Sequence, residues 1–350
     1  MGLASGLDRV GFAGTDAFPE VNVSMRRRVE TGMAATLGFT YKDPLVATTP
    51  RISFPWARTL VVGASAYLPE SGSPEVELSP EIPSGRVSRV AAGDGYRAVR
   101  PGLEQIAGLL VGGGYRAEVL CDDNRLVDRA AAVRAGIGWW GKNSMVLIPG
   151  IGPWSVIGSV ATDADLLPDK PLDRGCGACE ACLPACPTGA LVAPGVLDAS
   201  RCLAAWAQRP GLVPPEYRIA MGDRLYGCDD CLVACPPGSR LLRTATEPGG
   251  RFDLEMVLRA SDQTLLALFG HWFIPNRDLR IVRRNALIVA GNSASQRLVS
   301  QVSVYAAHPS WLLRAHAVWA LRRIGGAGAE AVLDQRREDE SDARVRAELS

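Results

Sequence analysis

The sequence predicts a multidomain α+β protein: a mixed α/β part to about residue 165, a ferredoxin-like insert over 166–245, and an α-helical tail over 246–350. Three observations predict it. Strand-like apolar runs alternate with helical patterns in the first part, eight of the nine cysteines crowd into the middle, and one helical phrase recurs in the last part.

In the first part, Thr59 to Leu68 is an apolar run of strand length, and the Pro-, Gly- and Ser-rich stretch from Pro69 to Gly85 reads as a loop. Cys121-Asp122-Asp123-Asn124 directly precedes a helical pattern over Leu126 to Ala135, stopped by Gly136. A glycine-spaced loop follows, Gly136-Ile137-Gly138-Trp139-Trp140-Gly141-Lys142-Asn143-Ser144. Glycines let a planar ligand approach the backbone and aromatics can wall it, although both tryptophans serve equally well as core. Ser144 to Ile148 and Trp154 to Ala161, separated by Pro149-Gly150-Ile151-Gly152, read as two strands joined by a short turn.

Pro168 and Pro171 open the insert, where Cys176, Cys179, Cys182 and Cys186-Pro187 are spaced C-x2-C-x2-C-x3-C-P. A second run holds Cys228, Cys231 and Cys235-Pro236. In bacterial ferredoxin spacing the first three thiolates hold one 4Fe-4S cluster, and the fourth, displaced by a longer step and a proline, ligates the other. Cys235 is therefore expected to join Cys176, Cys179 and Cys182, while Cys186 joins Cys228 and Cys231. This second set lacks a ligand that only Cys202 or Cys121 can supply. Cys202 lies between the two runs and is the expected one, leaving Cys121 as a small buried hydrophobe. Zinc and disulfides are the competing readings, but a tetrahedral zinc site has no use for shared, crossed C-x3-C-P ends.

In the tail, Ile281-Val282-Arg283-Arg284-Asn285-Ala286-Leu287 is echoed by Leu312-Leu313-Arg314-Ala315-His316-Ala317-Val318, with a truncated third copy at Val345-Arg346-Ala347-Glu348-Leu349. The period of about thirty residues is shorter than the roughly 40–47 of standard HEAT units, but helix pairs stacking one apolar face on the next give this signature. A short HEAT-like solenoid is expected, with an ordinary helical bundle as the alternative. Arg277, Arg280, Arg283 and Arg284 crowd beside the repeat, either as a phosphate-binding patch or as a solvated face paired with acids such as Asp278.

A length of 350 residues with 47% hydrophobic content allows two or three cores, and a net charge of +1 argues against a globally basic nucleic-acid binder. No stretch is apolar for the length a membrane span requires, and thiolates kept for metal suit a reducing compartment, so a cytoplasmic, monomeric protein is expected. No G-x-G-x-x-G opens a helix after a strand, and the histidines are only His271, His308 and His316, which excludes a histidine-rich metal site in the first part. Clusters move electrons singly, so a two-electron reaction needs another collector. The densest polar stretch of the first part is Asp122-Asp123. Helix capping is the plain role for these acids, and a desolvated carboxylic acid donating a proton to a leaving oxygen is the other.

Taken together, Asp122 with the phrase DRAAAVRAGIGWWGKNS, the insert CGACEACLPACPTGAL, Arg201-Cys202, Tyr226-Gly227-Cys228-Asp229-Asp230-Cys231 and Arg284-Asn285-Ala286 resemble the epoxyqueuosine reductases of queuosine-tRNA maturation. The resemblance covers nearly the whole chain. It implies an oxidoreductase with base-off cobalamin held by the N-terminal domain beside two 4Fe-4S clusters, epoxyqueuosine-bearing tRNA as substrate, and an external electron donor that the sequence does not identify. It also implies Asp122 as proton donor and Lys142, Asn143, Val146 and Ile157 as cobalamin neighbours. Two departures stand out: Gly95-Tyr96-Arg97 where the family commonly has aspartate-tyrosine-histidine, and Leu203-Ala204-Ala205-Trp206 where hydroxyl side chains are usual. Either is compatible with a related cobalamin reductase of another substrate. An electron carrier with a helical docking arm is the non-enzyme alternative.

Overall fold

The computed structural model describes residues 6–68, 79, 81–245 and 250–350, and the chain gathers into two compact units. The first comprises Met1–Ser73, Asp94–Cys202 and Asp229–Glu247; the second comprises Pro74–Gly93, Leu203–Cys228 and Pro248–Ser350. The segment 166–245 is thus shared between them. Among the described residues no helix is long and apolar enough to cross a membrane.

The first unit is built on an antiparallel sheet of β1 (Arg9–Gly14), β2 (Thr59–Ala66), β3 (Ala117–Leu120) and β4 (Ser155–Thr162), in spatial order β1-β2-β4-β3. Small and β-branched residues dominate β2 and β4, and nearly all are buried, which suits central strands covered on both faces. Gly63 and Gly158 face each other across these strands. Leu103 of helix α1 (Arg100–Gly112) fills the dent they leave: a Cβ at Gly158 would stand 2.5 Å from its Cδ1. Helix α2 (Asp128–Arg134) buries Ala130, Ala131 and Ala132, whose small side chains let it lie close to the sheet.

One sequence expectation holds and one changes here. The strands Val146–Leu147 and β4 are joined by a short turn as expected, and Val146–Leu147 pairs with Trp139–Trp140. Gly150 and Gly152, both at positive φ, close the intervening turn after the single bridge Ile148–Gly152, and β2 takes the chain beyond into the sheet. Of the expected loop from Pro69 to Gly85, residues 69–78 and 80 lie outside the described residues, and Ser84–Val87 is a strand of the second unit, flanked by Arg224–Tyr226 and Arg251–Asp253.

The tail is helical as expected: α3 (Leu279–Ser293), α4 (Val299–Ala306), α5 (Trp311–Ile324), α6 (Ala327–Asp339) and α7 (Ala343–Leu349). The recurrent phrases lie on α3, α5 and α7, which pack successively on one another, while α4 and α6 form the other row. Ala286, Ala317 and Val345, one from each copy, are fully buried. The third copy is pinned by a bidentate pair, Arg218 Nη1 and Nη2 to Glu348 at 2.7 and 2.6 Å.

The arginine cluster does not present one cationic face. Arg284 is fully buried and donates to the carbonyls of Trp206, Arg209 and Gly211 and to Asn285 Oδ1, because the segment before the tail turns its backbone oxygens toward α3. Burial pulls its guanidinium down to about 9, so it remains charged at neutral pH. Arg283 pairs with Asp262 and Arg280 with Asp278. Removing the Arg284 fork would strand several buried carbonyls, each costing about 1–3 kcal/mol unsatisfied, so Arg284→Ala should destabilise the protein by about 3 kcal/mol or more. The midpoint of urea unfolding under anaerobic conditions checks this.

Candidate functional site

Two positions in the first unit concentrate chemistry. At one, Cys176, Cys179, Cys182 and Cys235 line a single cavity of about 130 Å³ together with Trp139, Lys142, Asn143, Leu147, Gly175, Pro236 and Pro237. This is the set that the crossed spacing predicts. The short helix Cys182–Ala185 packs against Asp230–Val233, which brings the second cysteine run back to the first. Trp154 Nε1 donates to the carbonyl of Gly238 at 3.2 Å, anchoring the loop after Cys235 to the sheet. The backbone amide of Lys142 points at Cys176 Sγ, 3.4 Å away, and its ammonium meets Glu180 at 3.2 Å. All nine cysteines are unbridged, so no disulfide competes for these sulfurs.

Cys186 begins the second set. Burial pushes its thiol up, but the amides of Thr188, Leu191 and Ala190 outweigh it and hold the group below the ordinary thiol range. The Ala190 amide is 3.2 Å from the sulfur. Thr188 Oγ1 donates to the carbonyl of Arg201 at 2.7 Å, which holds Cys202 near this loop. Cys121 lies elsewhere, buried just after β3. Burial pushes its thiol up to about 11.

The second position surrounds Asp122, whose backbone sits at φ 56°, a left-handed conformation that swings its carboxylate out of line with its neighbours. Neither Asp122 nor Asp123 caps the following helix, which starts at Asp128 behind Val127 with no side-chain cap. Asp123 instead accepts from the amide of Arg125 at 2.9 Å and from its guanidinium, which hold it below the usual carboxylate range despite burial. Asp122 shifts the other way. Desolvation raises it, Arg100 opposes, Asp123 and Asp94 add to the rise, and a bond from the Tyr96 side chain lowers it. Adjacent acids of one sequence thereby hold opposite protonation tendencies.

Sequence reasoning missed three partners of this acid. Asp128, on α2, has an oxygen buried without a hydrogen-bond partner among the described residues, and burial together with the charges of Asp122 and Asp123 raises its carboxyl well above the ordinary range. Tyr96, in the 3-10 turn Gly95–Ala98, and Arg100, at the start of α1, flank Asp122. No spacing rule announces them, since they reach Asp122 only through tertiary packing. The four residues named from the resemblance divide: Lys142 and Asn143 line the thiol cavity, Val146 is core, and Ile157 is a partly buried position on β4 opposite Ala64.

Comparison with known proteins agrees with this layout. A sequence profile for the 4Fe-4S double cluster binding domain matches residues 175–238, which include eight cysteines and exclude Cys121, and one for HEAT repeats matches 276–350. The epoxyqueuosine reductase of Bacillus cereus is 30% identical over 99% of this chain and 93% of its own length. A crystal structure of epoxyqueuosine reductase with a tRNA-Tyr epoxyqueuosine-modified stem loop superposes with a TM-score of 0.91 at 29% identity, covering 99% of this chain and 94% of that one. A Bacillus subtilis structure, solved with its catalytic aspartate loop swung out of the active site, gives 0.89 at 28% identity, covering 99% and 95%. With sequence likeness at this level over the full length, and the fold shared with it, the chain belongs to the epoxyqueuosine reductase family of oxidoreductases.

Proposed function

We propose that the chain reduces epoxyqueuosine to queuosine in tRNA, passing electrons through two 4Fe-4S clusters, with Asp122 as the proton donor. Full-length family membership carries this reading, and the occurrence within one unit of a four-thiol cavity and an acid whose pKa desolvation raises supports it. Cys176, Cys179, Cys182 and Cys235 hold the first cluster; Cys186, Cys202, Cys228 and Cys231 hold the second. Reducing an epoxide to an alkene takes two electrons and two protons and releases the oxygen as water.

Base-off cobalamin would supply the centre at which two electrons are collected. This chain's residues fit such a group on two observations. Ile157 stands partly exposed on a strand whose other residues are nearly all buried, and Trp140 is 43% exposed beside buried Val146, its strand partner. We assign Val146 and Ile157 to its apolar contacts and Lys142 and Asn143 to the side toward the first cluster. Asp122, whose pKa desolvation raises, gives its proton to the departing oxygen. Tyr96 holds the carboxyl in place, and Arg100 keeps its pKa from rising further.

A related reductase with another substrate is the second reading. The observation favouring it is that Tyr96, which bonds Asp122, is followed by Arg97, where the family commonly carries histidine. Turnover of epoxyqueuosine-containing tRNA by anaerobic protein supplied with cobalamin separates the two readings, and absence of queuosine product with full cluster content would defeat the first.

Asp122→Asn should abolish product formation while both clusters remain, as checked by product analysis and iron content. Because the donor works only when protonated, the single-turnover rate should fall as pH rises through the raised pKa of Asp122. Arg100 lowers that pKa, so Arg100→Gln should move this alkaline limb to higher pH. Anaerobic Cys121→Ser should keep about eight irons, whereas Cys235→Ala should lose about four.

A further inference from the structure

We infer that the indole N–H of Trp139 and the side-chain amide of Asn143 donate hydrogen bonds to the sulfurs of the cluster held by Cys176, Cys179, Cys182 and Cys235, and thereby raise its reduction potential. The inference rests on the cluster assignment proposed above. Trp139 is 7% exposed and Asn143 3%, and both line the same cavity as the four thiols. Trp139 Nε1 and Asn143 Nδ2 are nevertheless buried without any hydrogen-bond partner among the described residues. Buried N–H groups left unpaired cost free energy and are uncommon, so two of them in the wall of one thiol-lined cavity point to an acceptor inside it.

Local structure fixes both groups. Asn143 Oδ1 accepts from the amide of Met145 at 3.1 Å, which sets the amide's orientation and leaves its N–H pair unengaged. Trp139 is held in the strand pair with Leu147, itself 1% exposed. A Cβ at Gly141 would stand 2.5 Å from Asn143 Oδ1, so the loop closes on itself only with glycine there. The Lys142 amide already points at Cys176 Sγ, so one short loop aims three N–H groups at one cluster. Each places the positive end of a dipole beside the cluster, which favours the more negative reduced state.

The test is an anaerobic redox titration, followed by electron paramagnetic resonance, of the full chain carrying both clusters. Trp139→Phe removes one N–H with little change of shape, and Asn143→Asp keeps the acceptor for Met145 while removing the other. Each should shift one cluster's midpoint potential downward and leave the second unmoved. Trp56→Phe, at a tryptophan that does not line the cavity, should match wild type. Unchanged midpoints in both variants, with about eight irons retained, would overturn the inference. If either variant fails to hold its cluster, wild-type protein labelled with 15N-indole tryptophan decides: hyperfine coupling to the reduced first cluster supports the bond, and its absence sinks it. A wild type with no cluster signal at all would instead overturn the cluster assignment.

Discussion

Everything in the first unit depends on one return of the chain: Cys235 must come back to a cavity whose other thiols lie more than fifty residues earlier in the sequence. Between them the backbone leaves for the second unit at Leu203 and re-enters at Asp229. No local turn enforces such a closure. It is held by the packing of Asp230–Val233 on Cys182–Ala185 and by the indole of Trp154 on the Gly238 carbonyl. The residue directly before β4 supplies that indole, so the packing of β2 and β4 bears on the thiol cavity without touching it.

The cysteine grouping was legible because ligand spacing is a local property: a C-x2-C turn presents its thiols whatever the rest of the chain does, and the proline after the longer step marks the end that crosses. The helical tail was legible for a similar reason, since the phrase recurs and each copy buries an apolar residue, Ala286, Ala317 and Val345. The pairing of Val146–Leu147 was not, because a short apolar run suits any neighbouring edge and its real partner, Trp139–Trp140, read equally well as loop. Arg284 was misjudged because an arginine among arginines looks solvated. Only the carbonyls of Trp206, Arg209 and Gly211, distant in sequence, reveal why it is inside.

The acid site shows the same division between composition and environment. Asp122 and Asp123 are chemically identical neighbours, yet the fork of Arg125 engages one and leaves the other to desolvation and like charge. Sequence reading could name the pair but not choose between them without the resemblance. The choice is made by a left-handed backbone at Asp122, by Tyr96 in the turn before α1 and by Arg100 at the start of α1.

Gly152 and Gly238 touch so closely that a Cβ on the former would lie 2.4 Å from the latter's backbone, and a Cβ on the latter would strike the indole of Trp154. The turn before β4 is therefore a mould against which the stretch beyond Cys235 is cast. During synthesis the ribosome releases this mould some eighty residues ahead of its casting, which implies that the receptacle stays open to incoming iron and sulfide until the later segment docks and shuts it.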